Sequence, residues 1–270
     1  MEARFSVLLV GCGKMGRALL EGWLGQGFKA EDLTIAEPMQ AGVPENMRAR
    51  AVANADALAK NFKPDLVVLA VKPQSMDAVL PGLARFAPGG ATYLSIAAGK
   101  TIAALRRGLG ANALVVRSMP NTPAAVGRGI TVAVPAPGVS AQARARCSQL
   151  LQAVGEVLWV EDEALLDPVT ALSGSGPAYV FLLVEAMAQA GVKAGLPAEM
   201  AMALARATVS GSGELLRQSP EPAGQLRQNV TSPGGTTHAA LQVLMAPDGL
   251  QPLFDKALEA ATKRSRELAG

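Results

Sequence analysis

Phe5-Ser6-Val7-Leu8-Leu9-Val10-Gly11-Cys12-Gly13-Lys14-Met15-Gly16 joins a short apolar run to a complete G-x-G-x-x-G. The apolar run is what a strand buried on both faces shows. Each glycine has its own task. Gly11 permits the tight turn, Gly13 lets a pyrophosphate come close to the backbone, and Gly16 lets strand and helix pack closely. The pattern alone is common. Here it follows an apolar strand and opens a helix over Lys14 to Gln26, with Met15, Leu19, Leu20 and Trp23 on one side. In that setting Gly11, Cys12, Gly13, Lys14, Met15 and Gly16 are expected to cradle a dinucleotide.

Downstream, apolar runs at Leu33–Ala36, Leu66–Val71, Tyr93–Ile96 and Leu114–Arg117 alternate with helical or irregular segments. Further strands are expected at Ile130–Val134 and Val157–Val160, and a helix between them from Ser140, its N-cap, to Val154. This alternation predicts an α/β fold, an N-terminal doubly wound parallel sheet of the Rossmann type. Glu37 ends the second strand, 21 positions after Gly16. A carboxylate there can accept from the adenosine ribose hydroxyls and repel a 2′-phosphate, which favours NADH; a solvated loop carboxylate is the plain alternative. In open parallel sheets ligands sit beyond the carboxyl ends of the strands. That rule brings in Ala70, Val71, Lys72 and Pro73, then Ala97 with Ala98 and Gly99, then Met119-Pro120-Asn121-Thr122-Pro123.

After Glu161 the strand signals stop, and Ala-, Leu- and Met-rich helical segments take over. A domain boundary is therefore expected near residue 162, giving domains 1–162 and 163–270. Between Ala178 and Leu196 only Glu185 and Lys193 are charged. A helix apolar on nearly all sides needs cover on all sides, from a subunit interface or as a central core helix. Late in this half comes Val230-Thr231-Ser232-Pro233-Gly234-Gly235-Thr236-Thr237, a glycine loop with four hydroxyls running into a helix. Backbone amides at a helix start can hold a small carboxylate. Ordinary N-capping by Ser232 or Thr236 is the plain alternative.

The 270-residue chain is half hydrophobic, 17% charged and carries a net charge of +3. No basic run interleaved with aromatics argues for nucleic acid. Cys12 and Cys147 lie far apart without metal spacing, and a single histidine leaves no His-based metal site, so no metal is expected. Cys12 reads as a small filler, His238 as a packing or hydrogen-bonding residue and Tyr179 as a packing residue. The chain starts Met-Glu-Ala-Arg without the pattern of an export signal, and the apolar stretch Ala178–Ala190 is too short to span a bilayer. A soluble cytoplasmic protein is the expectation.

Ser173-Gly174-Ser175-Gly176-Pro177-Ala178-Tyr179, the 230–237 loop and Met119-Pro120-Asn121-Thr122-Pro123 form an ordered set. With them the chain closely resembles the pyrroline-5-carboxylate reductase family, from the first strand to Arg266-Glu267-Leu268. The resemblance implies a Rossmann domain and an all-helical dimerisation domain that interleaves with a partner subunit. It implies a homodimer at least, or a larger ring of dimers, and reduction of a cyclic imine to L-proline by NADPH or NADH. It implies that the substrate carboxylate meets Ser232 and the backbone of Gly235, Thr236 and Thr237, and that Thr237 hydrogen-bonds the ring nitrogen. It also implies cofactor contacts at Asn54 and Asn229 and places Glu163 near the substrate. The family favours NADPH, yet Glu37 stands where many members carry a small or basic residue. A β-hydroxyacid dehydrogenase is the competing reading; it needs a lysine and an asparagine where Val180 and Leu183 stand.

Overall fold

The computed structural model describes residues 4–269. Met1 to Ala3, part of the segment in which no export signal is expected, lie outside the described residues, as does Gly270. In chain order come β1 (Val7–Val10), α1 (Lys14–Gly25), β2 (Leu33–Ala36), β3 (Ala51–Val52), β4 (Leu66–Leu69), α2 (Pro73–Leu83) and β5 (Thr92–Ser95). They continue as α3 (Ile102–Leu109), β6 (Leu114–Met119), β7 (Gly129–Pro135), α4 (Ala141–Gln152), β8 (Gly155–Trp159) and α5 (Leu166–Val169). The rest is helical: α6 (Gly176–Lys193), α7 (Ala198–Gln218), α8 (Ala223–Asn229), α9 (Thr236–Leu244) and α10 (Leu250–Ala269).

The eight strands form one sheet in the order β3-β2-β1-β4-β5-β6-β7-β8. Successive side chains of a strand alternate between faces. Leu8, Val10, Val67, Leu69, Tyr93 and Val115 enter the core on one side with Met76, Leu80, Ile102 and Leu105 from α2 and α3. Val7, Leu9, Leu66, Val68, Leu94 and Val116 enter the opposite core with Leu19, Trp23, Cys147 and Leu150 from α1 and α4. Burial on both faces explains the unbroken apolar runs of the sequence. The Trp23 indole donates to the Leu150 carbonyl at 2.8 Å, so the largest side chain of α1 is satisfied inside the core. Ser140 caps α4 as expected, accepting from Ala143 N at 3.1 Å.

One pairing departs from the expected parallel sheet. β6 and β7 run antiparallel, with Arg117 opposite Val134, while β7 and β8 are again parallel. The reason is connection length. The short segment after Met119 can only turn the chain back, whereas α4 supplies the crossover that a parallel neighbour requires.

The chain separates into two compact units. One comprises the described residues up to Gly174 together with those from Ala261 on; the other is Ser175–Ala260. Residues 163–174, expected to open the second domain, thus pack with the sheet, where Leu166 and Ala171 are fully buried. Within the helical unit, α6 and α7 lie side by side. A Cβ on Gly191 would stand 3.2 Å from the Ala201 methyl, so small residues allow the close approach. The Tyr179 ring meets Phe254 edge-on at 6.2 Å. Few side chains are enclosed there: Phe181 and Leu182 are each 63% exposed and Leu204 51%. The helical run Glu163–Lys193 is long and apolar enough, by length and composition alone, to cross a membrane. Its stretch Ala178–Ala190 is too short by itself, and the run reaches the length of a span only with the helical turns that precede it.

Candidate functional site

In the sheet unit, β1, β2 and β4 end around a cleft of about 690 Å³. Gly11, Gly13, Glu37 and Asn54 line it, with Ala70, Val71 and Lys72 from the end of β4. That volume lies in the range of small-molecule and cofactor sites. Gly11 has φ +92° and donates its N–H to the Ala36 carbonyl at 2.9 Å. A Cβ there would lie 2.8 Å from the Ala70 carbonyl, so glycine is required both by conformation and by space. A Cβ on Gly16 would strike the Gly11 carbonyl. Gly13 is different, because a Cβ there would touch nothing within 4 Å. The first and third glycines are fixed by the protein's own packing, whereas the second borders open space.

Gly13 is also the N-cap of α1, with no side-chain capping bond and no acidic residue in the first turn. The leading amides, from Lys14, Met15 and Gly16, have no intrahelical acceptor, which leaves this end of the helix favourable to an anion. A dinucleotide pyrophosphate fits these features. Cys12 lies beneath the loop, 2% exposed, and burial pushes its thiol up to about 11, with the Glu37 charge adding to the shift. It is a filler, as expected.

Glu37 is held from two directions. Its Oε2 accepts the Cys12 N–H at 2.7 Å and its Oε1 accepts the Met39 N–H at 2.9 Å. Asn54 caps a short turn by accepting from Ala57 N at 3.2 Å. Lys72 is the N-cap residue of α2 and Pro73 occupies its first turn, where a missing N–H costs nothing. Ala97 and Asn121 do not line this cleft. The buried Ala97 follows β5 and donates its N–H to Ser95 Oγ at 3.3 Å. Asn121 accepts from Ile130 N at 3.0 Å and donates to Ser173 Oγ at 3.3 Å, holding the β6–β7 connection. The cleft also includes Met39, Asp56 and Ser75, which sequence reasoning did not single out. Met39 and Ser75 each lie two residues beyond a position that was read, and their only signal was that they follow a strand end.

Glu163 is not free either. Its Oε1 accepts the Arg117 guanidinium and the Ile102 N–H, both at 2.8 Å. It anchors the start of α3 and neutralises a cation that is only 4% exposed.

In the helical unit, Asn229 ends α8, donating to Glu221 at 3.0 Å and accepting from Gln225 at 2.8 Å. The loop then turns at Gly234, φ +69°, and Gly235 N donates to the Ser232 carbonyl at 3.0 Å. Gly235 is the N-cap of α9 and no side chain caps it. The capping alternative for Ser232 and Thr236 is therefore not what the fold uses. Ser232, Thr236 and Thr237 are all exposed, and Thr236 and Thr237 form the first turn of α9. Hydroxyls and uncapped helix-start amides are thus gathered at one exposed turn, as carboxylate binding requires. His238 follows, also exposed. Among the described residues there is no group of three or more His, Cys, Asp or Glu able to hold a metal ion.

A glycine-loop nucleotide fold joined to a helical unit with an exposed, uncapped helix-start turn fits the class of dinucleotide-dependent oxidoreductases. Comparison with known proteins gives the class its particular member. Residues 163–268 match the family described as pyrroline-5-carboxylate reductase dimerisation, and residues 6–99 match one described as NADP oxidoreductase coenzyme F420-dependent. The chain is 42% identical to a pyrroline-5-carboxylate reductase of Pseudomonas aeruginosa, over 97% of this chain and 96% of that one. It is 40% identical to the Mycobacterium leprae enzyme of the same name, with the same coverage. A solved Coxiella burnetii pyrroline-5-carboxylate reductase superposes with a TM-score of 0.92 at 33% identity, covering 99% of this chain and 100% of that one. The Plasmodium falciparum pyrroline carboxylate reductase, solved with NADP bound, gives 0.80 at 30% identity and 98% coverage of both.

The chain belongs to the pyrroline-5-carboxylate reductase family. It is an NAD(P)H-dependent oxidoreductase that reduces the C=N bond of 1-pyrroline-5-carboxylate to give L-proline, the last step of proline biosynthesis. Its helical segment, including the apolar α6, is a dimerisation domain.

Proposed function

We propose that the turn at 232–237 is the substrate's carboxylate site and that Thr237 is the catalytic residue. The observation that carries this reading is the uncapped start of α9 behind Gly235, with the Ser232, Thr236 and Thr237 hydroxyls exposed around it. Backbone amides of Gly235, Thr236 and Thr237, with the Ser232 hydroxyl, hold the carboxylate. The Thr237 hydroxyl hydrogen-bonds the ring nitrogen. NAD(P)H, when bound, supplies the hydride to the imine carbon. A protonated imine is its own electrophile, so the protein contributes orientation and a fixed anion site rather than a strong base.

We assign the cofactor to the cleft bounded by Gly11, Gly13, Glu37, Asn54, Ala70, Val71 and Lys72, with Cys12, Lys14, Met15 and Gly16 forming its loop. Pro73, Ala97 and Asn121 complete the assignment as residues beyond strand ends; Asn229 joins it on family resemblance, and Glu163 is placed near the substrate on the same ground. Glu37 leans the enzyme toward NADH, since each of its oxygens retains a lone pair for a ribose hydroxyl and its charge opposes a 2′-phosphate. Functional domains divide at residue 162, where the dimerisation match begins. The assembly is a homodimer at least, built on the exposed apolar faces of α6 and α7, and a ring of dimers extends the same reading. We place the enzyme in the cytoplasm, which suits two buried free cysteines.

The test is the loss of NAD(P)H absorbance on addition of 1-pyrroline-5-carboxylate, with a β-hydroxy acid and NAD(P) run in parallel. Turnover of the imine alone supports the assignment. Turnover of the hydroxy acid alone overturns it.

A further inference from the structure

The turn after β2 and the glycine loop are fastened together at Cys12. The Cys12 N–H donates to Glu37 Oε2 at 2.7 Å, and the other oxygen of the same carboxylate takes the Met39 N–H at 2.9 Å. The Cys12 thiol donates to the Gly42 carbonyl at 3.5 Å. Gly42 in turn passes so near that a Cβ on it would stand 2.6 Å from the Cys12 carbonyl. One carboxylate thus satisfies an amide in each of two segments, and Cys12 and Gly42 close the contact from the far side. Bonds from N–H groups to an ionised carboxylate are among the stronger hydrogen bonds. Removing this one orphans a part-buried amide in the loop.

We propose that Glu37 is a positioning residue that locks the glycine loop to the turn after β2, presetting the pyrophosphate and adenosine subsites as one rigid piece before any nucleotide arrives. A residue that only reads the ribose would affect NADH and NADPH in opposite directions. A residue that shapes the loop affects both in the same direction. The binding part of this inference rests on the reading of the cleft as the dinucleotide site; the structural part does not.

Glu37→Gln tests it, because the amide keeps one acceptor oxygen and turns an N–H₂ donor toward the other backbone N–H. Backbone hydrogen exchange is followed over residues 10–16 and 37–42 without nucleotide, and calorimetry then gives Kd for NADH and NADPH. Faster exchange in both segments is expected, with Kd raised for both cofactors, about tenfold for NADH and by less for NADPH because the same change removes the charge that opposes its 2′-phosphate. Unchanged exchange overturns the proposal, as does a weakening of NADH alone. Wild-type protein that binds neither nucleotide would refute the cleft assignment and leave the exchange result to decide the brace. Should Glu37→Gln fail to fold, Glu37→Asp keeps the charge and withdraws it by one methylene. Faster exchange in the same two segments then supports the brace, and unchanged exchange refutes it.

Discussion

Arg117 reaches Glu163 at 2.8 Å from the middle of the sheet, and the oxygen it meets also accepts the first amide of α3 from Ile102. The guanidinium is almost wholly enclosed, whereas the Glu163 side chain stays 30% exposed. Glu163→Ala would leave a buried cation and a helix-start amide without their acceptor. A fully enclosed pair would lose about 3–5 kcal/mol; with one partner partly in water the expected loss is about 2 kcal/mol. Urea denaturation should show a lower midpoint at unchanged slope. A wild-type midpoint, with only the imino-acid KM raised, would make Glu163 a substrate contact alone.

Gly13 separates binding from folding. Nothing surrounds the position a Cβ would take, so Gly13→Ala should melt within about 1 kcal/mol of wild type. If the pyrophosphate approaches there, both dinucleotides should bind about tenfold more weakly or worse. Calorimetry giving unaltered Kd values would move the phosphate site elsewhere. Gly11→Ala is the contrasting control and should lower stability itself, since it strikes the Ala70 backbone from a left-handed conformation.

Thr237→Ala should remove one hydrogen bond to the reacting ring, lowering kcat/KM by an amount equivalent to about 1–3 kcal/mol. Thr237→Ser should recover most of it. An alanine variant with full catalytic efficiency would exclude the hydroxyl from the reaction.

Phe181 and Leu182 on α6 face outward in the single chain. Sedimentation at micromolar concentration should find a dimer or larger species, and Phe181→Glu should shift it toward smaller ones. A stable, folded monomer of the wild-type chain would contradict the interface.

Stability should fall on the alkaline side. Burial raises the Cys12 thiol to about 11 and the Cys147 thiol to about 12. An unfolded chain releases its thiol protons from about pH 8.5–9, so above that pH the folded state holds more protons than the unfolded one. The stabilisation is complete below about pH 9 and is lost as pH rises toward the folded values. Urea midpoints at about pH 8 and about pH 10 should show the decline, and Cys147→Ala should lessen it. Identical slopes in the variant and wild type would clear Cys147 of the effect.

Much of the nucleotide half was legible because a parallel strand buried on both faces must be apolar throughout. Leu33–Ala36 was read with both ends in place for that reason, and Ser140 was readable as a cap because its neighbours begin a helix. β3 escaped because two half-buried residues make no run. The direction of β7 was hidden in a different way, since its composition suits either orientation and only the shortness of its connection decides. The site shows the same division. Glycine spacing announced the loop, but the partners of Glu37 and Glu163 are main-chain amides brought up by the fold. Arg117, charged and near a strand's end, gave no hint that its side chain would be buried at all.

The final turns of α10 belong with the sheet rather than with the helices that precede them. Ser265 donates to Asp167 at 2.8 Å, and Leu268 packs over Gly99, where a Cβ would stand 3.2 Å from the Leu268 carbonyl oxygen. The helical unit is therefore an insertion within the nucleotide unit, not an appendage to it. A protease could free it only by cutting twice. A ribosome would have to deliver residues 261–269 before the earlier-made half had all its pieces.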